Sequence, residues 1–173
     1  VLAGGLIEDG GSPEQRQAFL PKIMEGEAIW ALAWAEGRSR YDFNSVTATA
    51  RRQGDNFILS GTKAAVVGAP WADKLIVSAR TSGSPRDRDG VSLFVVDRHA
   101  ANLHLQSFKT MDGRRAAELT LMNVEVPAGQ MLGNEGEGVE ALEAVRNRAI
   151  AALCAEAVGA MTELNSATLE YRK

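Results

Sequence analysis

Charged and aromatic groups crowd one short loop of this chain. From Ala35 to Asp42 the residues run Ala-Glu-Gly-Arg-Ser-Arg-Tyr-Asp. The loop is rich in Gly, Arg and Ser, and a loop that leaves one strand and returns to a neighbour is a common seat for a ligand. Its carboxylates, Glu36 and Asp42, read first as capping and turn groups, because Asp and Glu in irregular segments hold nearby backbone N–H groups. Other chemistry-bearing residues are weaker candidates. Asp87-Arg88-Asp89-Gly90 has part of a calcium loop but lacks the later glutamate, and reads as a solvated turn. His99 and His104 have no Cys or His partners at metal-ligand spacing, so no metal site is expected. Arg114-Arg115 beside Gly113 reads as a solvated turn, with contact to a phosphate as the alternative. Cys154, the single cysteine, sits among alanines in a helical pattern and reads as a small buried thiol rather than a nucleophile. Glu156, in the same apolar pattern, reads as an exposed or paired acid.

The elements that must position these groups are legible in the patterning. Ser12-Pro13-Glu14-Gln15 signals a helix start, with Ser12 as cap, Pro13 in the first turn and Gln15 completing a capping box. That helix should run to about Met24 and bury Ala18, Phe19, Ile23 and Met24 along one stripe. From Ala28 the period becomes extended. Strands are expected at Ile29–Ala35, Ser45–Arg52, Phe57–Ser60, Lys74–Thr81, Val91–Val96, Leu103–Phe108 and Glu118–Val126, with a tight turn at Gln53-Gly54-Asp55-Asn56. Short strands at this spacing argue for an antiparallel barrel or sandwich. A glycine-rich break from Pro127 to Gly138 precedes one long helical pattern, through Val139, Leu142, Val145, Ile150, Leu153, Met161 and Leu164. A helix of that length exceeds what the β-region needs, so it should pack on further helices or on a partner.

Composition sets outer bounds. The chain has 173 residues, 45% hydrophobic and 24% charged, with a net charge of −3. These values are ordinary for a globular protein and carry no nucleic-acid footprint. One cysteine excludes an intrachain disulfide and fits a reducing compartment, the cytoplasm being the expected location. No apolar run approaches the ~20 residues of a membrane span. Both ends read as cut, which suggests a piece of a larger protein.

Several motifs, in order, resemble those of the acyl-CoA dehydrogenases. Leu20-Pro21 through Gly26-Glu27 resembles the family's LPxxxxGE. Gly54-Asp55, Phe57, Leu59, Gly61 and Lys63 resemble GDxYxLNGxK. Ala72-Asp73 with Val77-Ser78-Ala79-Arg80 resembles ADxxxVxAxT. Asn123-Val124, Val126-Pro127, Leu132-Gly133 and Glu135-Gly136 resemble the link NVxVP…LGxxGxG. The wording of AEGRSRYD, DGRRAAELTL and AIAALCAEAVGAM looks most like members met as small or paired subunits, such as the pimeloyl-CoA dehydrogenase small subunit.

The resemblance implies an α+β fold: a short helix, an antiparallel β-barrel domain, and one long helix of an incomplete helical bundle. Residues 1–27 would end an N-terminal helical domain, 28–130 would form the barrel and 131–173 would begin the bundle. It implies FAD along Ala33, Trp34, Ala35, Tyr41, Ala65, Val66 and Val67, and an acyl-CoA substrate near Arg40, Tyr41 and Asn147. The family's T-E-P-x-A-G-S-D loop corresponds to Ala35–Asp42, with Ala35 and Tyr41 replacing hydroxyl residues. Its K-x-W-I-T-N-G segment corresponds to Lys63–Ala69, with Ala65 replacing the aromatic and Val67 the hydroxyl. Where some members carry the catalytic base on the first bundle helix, this chain has Ala149, so no catalytic residue is expected here. Two functions follow: α,β-desaturation of an acyl-CoA thioester with FAD as hydride acceptor, or a non-catalytic subunit of a heteromeric dehydrogenase with a weakened FAD site. Either implies homo- or hetero-oligomers with similar subunits.

Overall fold

The structure is a computed structural model and describes residues 1–172. Two short helices open it, α1 (Leu2–Gly10) and α2 (Pro13–Met24). The capping box at α2 forms as read: the Ser12 hydroxyl accepts the Gln15 N–H and the Gln15 side chain accepts the Ser12 N–H. The buried stripe of α2 differs from expectation. Phe19, Leu20 and Ile23 pack inward, whereas Ala18 and Met24 are exposed, Met24 being the last residue of the helix.

Eight strands follow: β1 (Trp30–Ala33), β2 (Thr49–Gln53), β3 (Asn56–Val67), β4 (Lys74–Arg80), β5 (Val91–Asp97), β6 (Leu103–Lys109), β7 (Arg115–Pro127) and β8 (Met131–Leu132). The sheet runs β6-β7-β3-β2-β4-β5-β8, with β1 added beside β4. The expected barrel is not closed, nor is the sheet wholly antiparallel. β1 pairs parallel to β4 from Trp30/Lys74 to Ala33/Val77, and β2 meets β4 in parallel at Thr49/Arg80. Closure would need a ladder between the two ends of the sheet. At one end β8 is two residues long, and at the other β6 is largely exposed. The sheet nevertheless curls around one core. Phe57 of β3 and Phe94 of β5 meet at 5.0 Å although their strands are not neighbours. Such an aromatic pair adds about 0.5–1.5 kcal/mol beyond its burial.

β3 is three times the length expected, running on through Val67. It turns through Gly61, whose φ is +144° and whose absent side chain leaves room for Ala48: a Cβ there would lie 2.6 Å from the Ala48 Cα. Pairing with β7 is then interrupted between Lys63 and Val66 by a bulge, where Ala65 has φ +51°. β8 lies inside the stretch read as a break.

α3 (Gly138–Tyr171) has 34 residues and is about 51 Å long. Its first turns bury Val139, Leu142 and Val145, and Leu142 and Val145 share a cluster with Leu6, Ile7, Ile76 and Leu93. Arg148 pairs with Glu8 and Asp9 of α1 at 2.9 and 3.0 Å. From Ile150 to Arg172 every residue is exposed, Cys154 among them. Cys154 was expected inside, but the described residues of this half of α3 are exposed along every face. None of the described helices is long and apolar enough to cross a membrane.

Candidate functional site

β1 and β3 end at the same place. The Ala35 carbonyl, just past β1, accepts the Ala64 N–H from the bulge of β3 at 2.8 Å. The segments Ala33–Ala35 and Ala65–Val67 therefore lie side by side. Their side chains divide in two. Ala33 and Val66 are buried in the main core. Ala65 is exposed and Val67 is 52% exposed, while Trp34 and Ala35 are partly exposed. Val67 also borders an apolar cleft of about 370 Å³ shared with Trp30, Leu32, Ile23 and the start of α1. Trp34 packs edge-on to Phe43 at 4.6 Å. The result is a mostly apolar wall with no side-chain hydroxyl on Ala35, Ala65 or Val67.

Behind this wall lies a polar knot. Lys63 is inward-facing on β3 and 1% exposed. Its Nζ donates to Glu36 Oε1 at 2.7 Å, to Ser78 Oγ at 3.0 Å and to the Trp34 carbonyl at 3.4 Å. Glu36 Oε2 accepts the Thr47 N–H at 2.8 Å and the Thr47 hydroxyl, and Oε1 accepts the Ala48 N–H at 3.1 Å. The knot thus fixes the Trp34 carbonyl and the return of the loop toward β2. Burial pushes the Glu36 carboxyl up, but the Lys63 charge and the donors of Lys63 and Thr47 outweigh it and hold the group below its ordinary range. Burial pulls the Lys63 ammonium down from the ordinary lysine value, with Glu36 opposing. A carboxylate so paired anchors the loop against β2 and β3.

The loop between Glu36 and Val46 is tied to itself. Ser39 Oγ accepts the Glu36 N–H and donates to the Glu36 carbonyl, both at 2.9 Å. The Asp42 carboxylate accepts the Asn44 N–H at 2.9 Å, the turn role expected for it. Arg40 and Tyr41 are exposed, at a hollow that does not include Val67. Tyr41 is 90% exposed, and both line an open hollow of about 530 Å³ with Arg38, Ser39, Asp42, Ser45 and Arg86. Asn147 is exposed on α3 and is not among those residues; its neighbour Arg146 stacks over the loop's Phe43 at 5.5 Å. Ala149 is partly exposed on α3, and Glu156 is exposed on the free half of that helix. Arg114 pairs with Asp112 at 3.3 Å in an exposed turn. His99 and His104 are exposed, and the described residues contain no cluster of three or more metal-ligating side chains.

Sequence reasoning did not assign Lys63, Ser78 and Arg80 as internal polar anchors. The signal was there for Lys63: Phe57 and Leu59 mark the inward parity of β3, and Lys63 shares it. A lysine at an inward position requires a buried partner. Arg80 likewise ends the apolar run of β4.

The geometry agrees with comparisons to known proteins. The model of the acyl-CoA dehydrogenase middle domain matches residues 31–125. Cyclohexane-1-carbonyl-CoA dehydrogenase of Geobacter metallireducens is 36% identical over 132 residues, covering 75% of this chain and 34% of that protein. Acyl-CoA dehydrogenase FadE29 of Mycobacterium tuberculosis is 32% identical over 136 residues, covering 78% and 35%. The chain therefore spans about a third of the length of these relatives. Among solved structures, acyl-CoA dehydrogenase from Geobacillus kaustophilus aligns over 83% of this chain and 39% of its own, with TM-score 0.77 and 31% identity. The ChsE4-ChsE5 complex from Mycobacterium tuberculosis aligns over 84% and 38%, with TM-score 0.77 and 26% identity. With a family model matching more than half of its residues and an architecture shared with solved dehydrogenases, this chain belongs to the acyl-CoA dehydrogenase family.

Proposed function

We propose that the chain supplies the flavin-facing β-region of an FAD-dependent acyl-CoA dehydrogenase, acting in α,β-desaturation of an acyl-CoA thioester. The observation that carries this reading is the junction at Ala35 and Ala64, which lays Trp34–Ala35 against Ala65–Val67. The exposed, apolar side chains of Ala65 and Val67 fit one face of an isoalloxazine ring, which is planar and carries its polar groups at its edge. Backbone groups of the loop would supply polar contacts, because Ala35, Ala65 and Val67 have no hydroxyl. Ala33 and Val66 support the wall from the core side. FAD, when bound, would supply the hydride acceptor; the protein's part on this wall is to hold the ring flat and exclude water from one face. In this proposal residues 1–27 close an N-terminal helical domain, 28–130 form the middle domain and 131–173 begin a helical bundle. Similar subunits would cover α3, and the cytoplasm is the proposed location, on the strength of a single unpaired cysteine.

A second reading is favoured by the same residues. The loop's Glu36 is locked to Lys63, Ala149 cannot take a proton, and Ala35, Ala65 and Val67 offer no side-chain hydrogen bond to a flavin. These features suit a non-catalytic subunit of a heteromeric dehydrogenase with a weakened flavin site. Flavin titration separates the two readings. The purified protein should bind FAD and show the visible flavin band, and anaerobic addition of acyl-CoA should bleach it if the subunit is active. Flavin bound without bleaching, or bound only on mixing with a partner subunit, identifies the second reading. Absence of flavin under both conditions would remove both.

A further inference from the structure

The indole of Trp34 is the one large aromatic group of the wall, and it is held from two directions. The buried knot grips its main chain: Lys63 Nζ and Ser78 Oγ each donate to the Trp34 carbonyl at 3.4 Å. That grip fixes the backbone but leaves the ring free to turn about its side-chain bonds. The ring is set by Phe43, which meets it edge-on at 4.6 Å with the two planes at 76°. Such a pair is directional, because the positive rim of one ring points at the negative face of the other.

Phe43 lies outside every strand, so no ladder holds it in place. Helix α3 does. Phe43 packs against the cluster that includes Leu142 and Val145, and against the one formed by Val46, Ala48, Val91 and Val139. Arg146 follows Leu142 by four residues and so lies one turn further along the same row. Its guanidinium covers the Phe43 ring at 5.5 Å, within reach of cation–π attraction. The neighbouring arginines are used differently. Arg88 pairs with Glu143 of α3 at 2.6 Å, and Arg148 pairs with Glu8 and Asp9 of α1. Arg146 makes no ion pair among the described residues. It also marks the last docked turn: Val145 beside it is buried, and from Ile150 onward α3 is exposed. A continuous stack thus runs from α3 through Arg146 and Phe43 to Trp34.

We propose that Phe43 and Arg146 are positioning residues of the wall, a brace through which α3 sets the indole of Trp34. The brace holds with or without a ligand; that a flavin ring senses the setting of the indole rests on the function proposed above. Near-UV circular dichroism and riboflavin titration of one set of variants test it on the full chain. Trp34→Leu isolates the band of the Trp34 indole. Phe43→Leu and Arg146→Gln should each remove about half of that band or more, whereas Arg146→Lys, which keeps a cation over the ring, should retain most of it. Arg146 is exposed, so both of its variants should melt as the wild type does. Riboflavin affinity should fall about fivefold or more in Phe43→Leu and in Arg146→Gln, and recover in Arg146→Lys. In a Trp34→Leu background the same two changes should have no further effect on riboflavin. A Trp34 band unchanged in both variants overturns the brace. An altered band with unchanged riboflavin affinity, or equal losses in the Trp34→Leu background, overturns the positioning role. A wild-type chain that binds no riboflavin, with the band lost in both variants, upholds the brace and removes the flavin wall of the isolated chain.

Discussion

Glu36 and Lys63 are the most consequential single residues, because they put charge where the fold has no water to solvate it. Each is satisfied several times over. Removing one partner should therefore cost far more than an exposed ion pair would. Glu36→Gln should destabilise the protein by about 3–5 kcal/mol in urea unfolding, since it leaves the Lys63 ammonium uncompensated. Arg114→Ala, at an exposed pair, should change stability by no more than about 1 kcal/mol. The pH dependence follows from the lowered Glu36 pKa. The unfolded chain takes up the proton at higher pH than the folded one. The contribution of Glu36 to stability is thus complete above the ordinary carboxylate range and is lost as pH falls through its depressed folded value. Acid titration of stability should show this fall in the wild type and a reduced fall in Glu36→Gln.

At the scale of elements, β3 and α3 show where local pattern ran out. The strands of the sheet core were legible because Val, Ile, Leu and Phe alternate or cluster over short runs. The alternation at Phe57–Ser60 reads as a four-residue strand. The structure carries it on because Gly61 lets Ala48 approach and the bulge at Ala64 and Ala65 re-aims the strand end toward β1. Gly61→Ala should cost about 1–3 kcal/mol, from a positive φ and the Ala48 contact. The site residues at Ala65 and Val67 depend on that bulge, which no residue pattern announced. For α3, the three- and four-residue spacing foretold a helix but not which part of it has a neighbour within the chain. Leu142→Ala, in the packed half, should cost about 2–5 kcal/mol. Leu153→Ala, in the exposed half, should stay within about 0.5 kcal/mol in the isolated protein. Thermal or urea unfolding of the two variants checks the contrast, and hydrogen exchange should be faster after Ile150 than before it.

At the scale of the whole molecule, the order of elements and the family were readable from ordered motifs, whereas closure of the sheet was not. Periodicity reports which face of a strand is buried and says nothing about which edges pair. The parallel insertion of β1 beside β4 and the two-residue β8 are long-range outcomes of that kind. The central claim is that the end of β1 and the end of β3 make one flavin-facing wall. Val67 is the residue through which to test it, being exposed and so replaceable without disturbing the core. Flavin titration of Val67→Arg beside the wild type is the direct measurement. The account predicts an unchanged melting temperature and a loss of flavin affinity of about tenfold or more, from a bulky charge set against the ring face. A Val67→Arg protein that binds flavin as tightly as the wild type would contradict it.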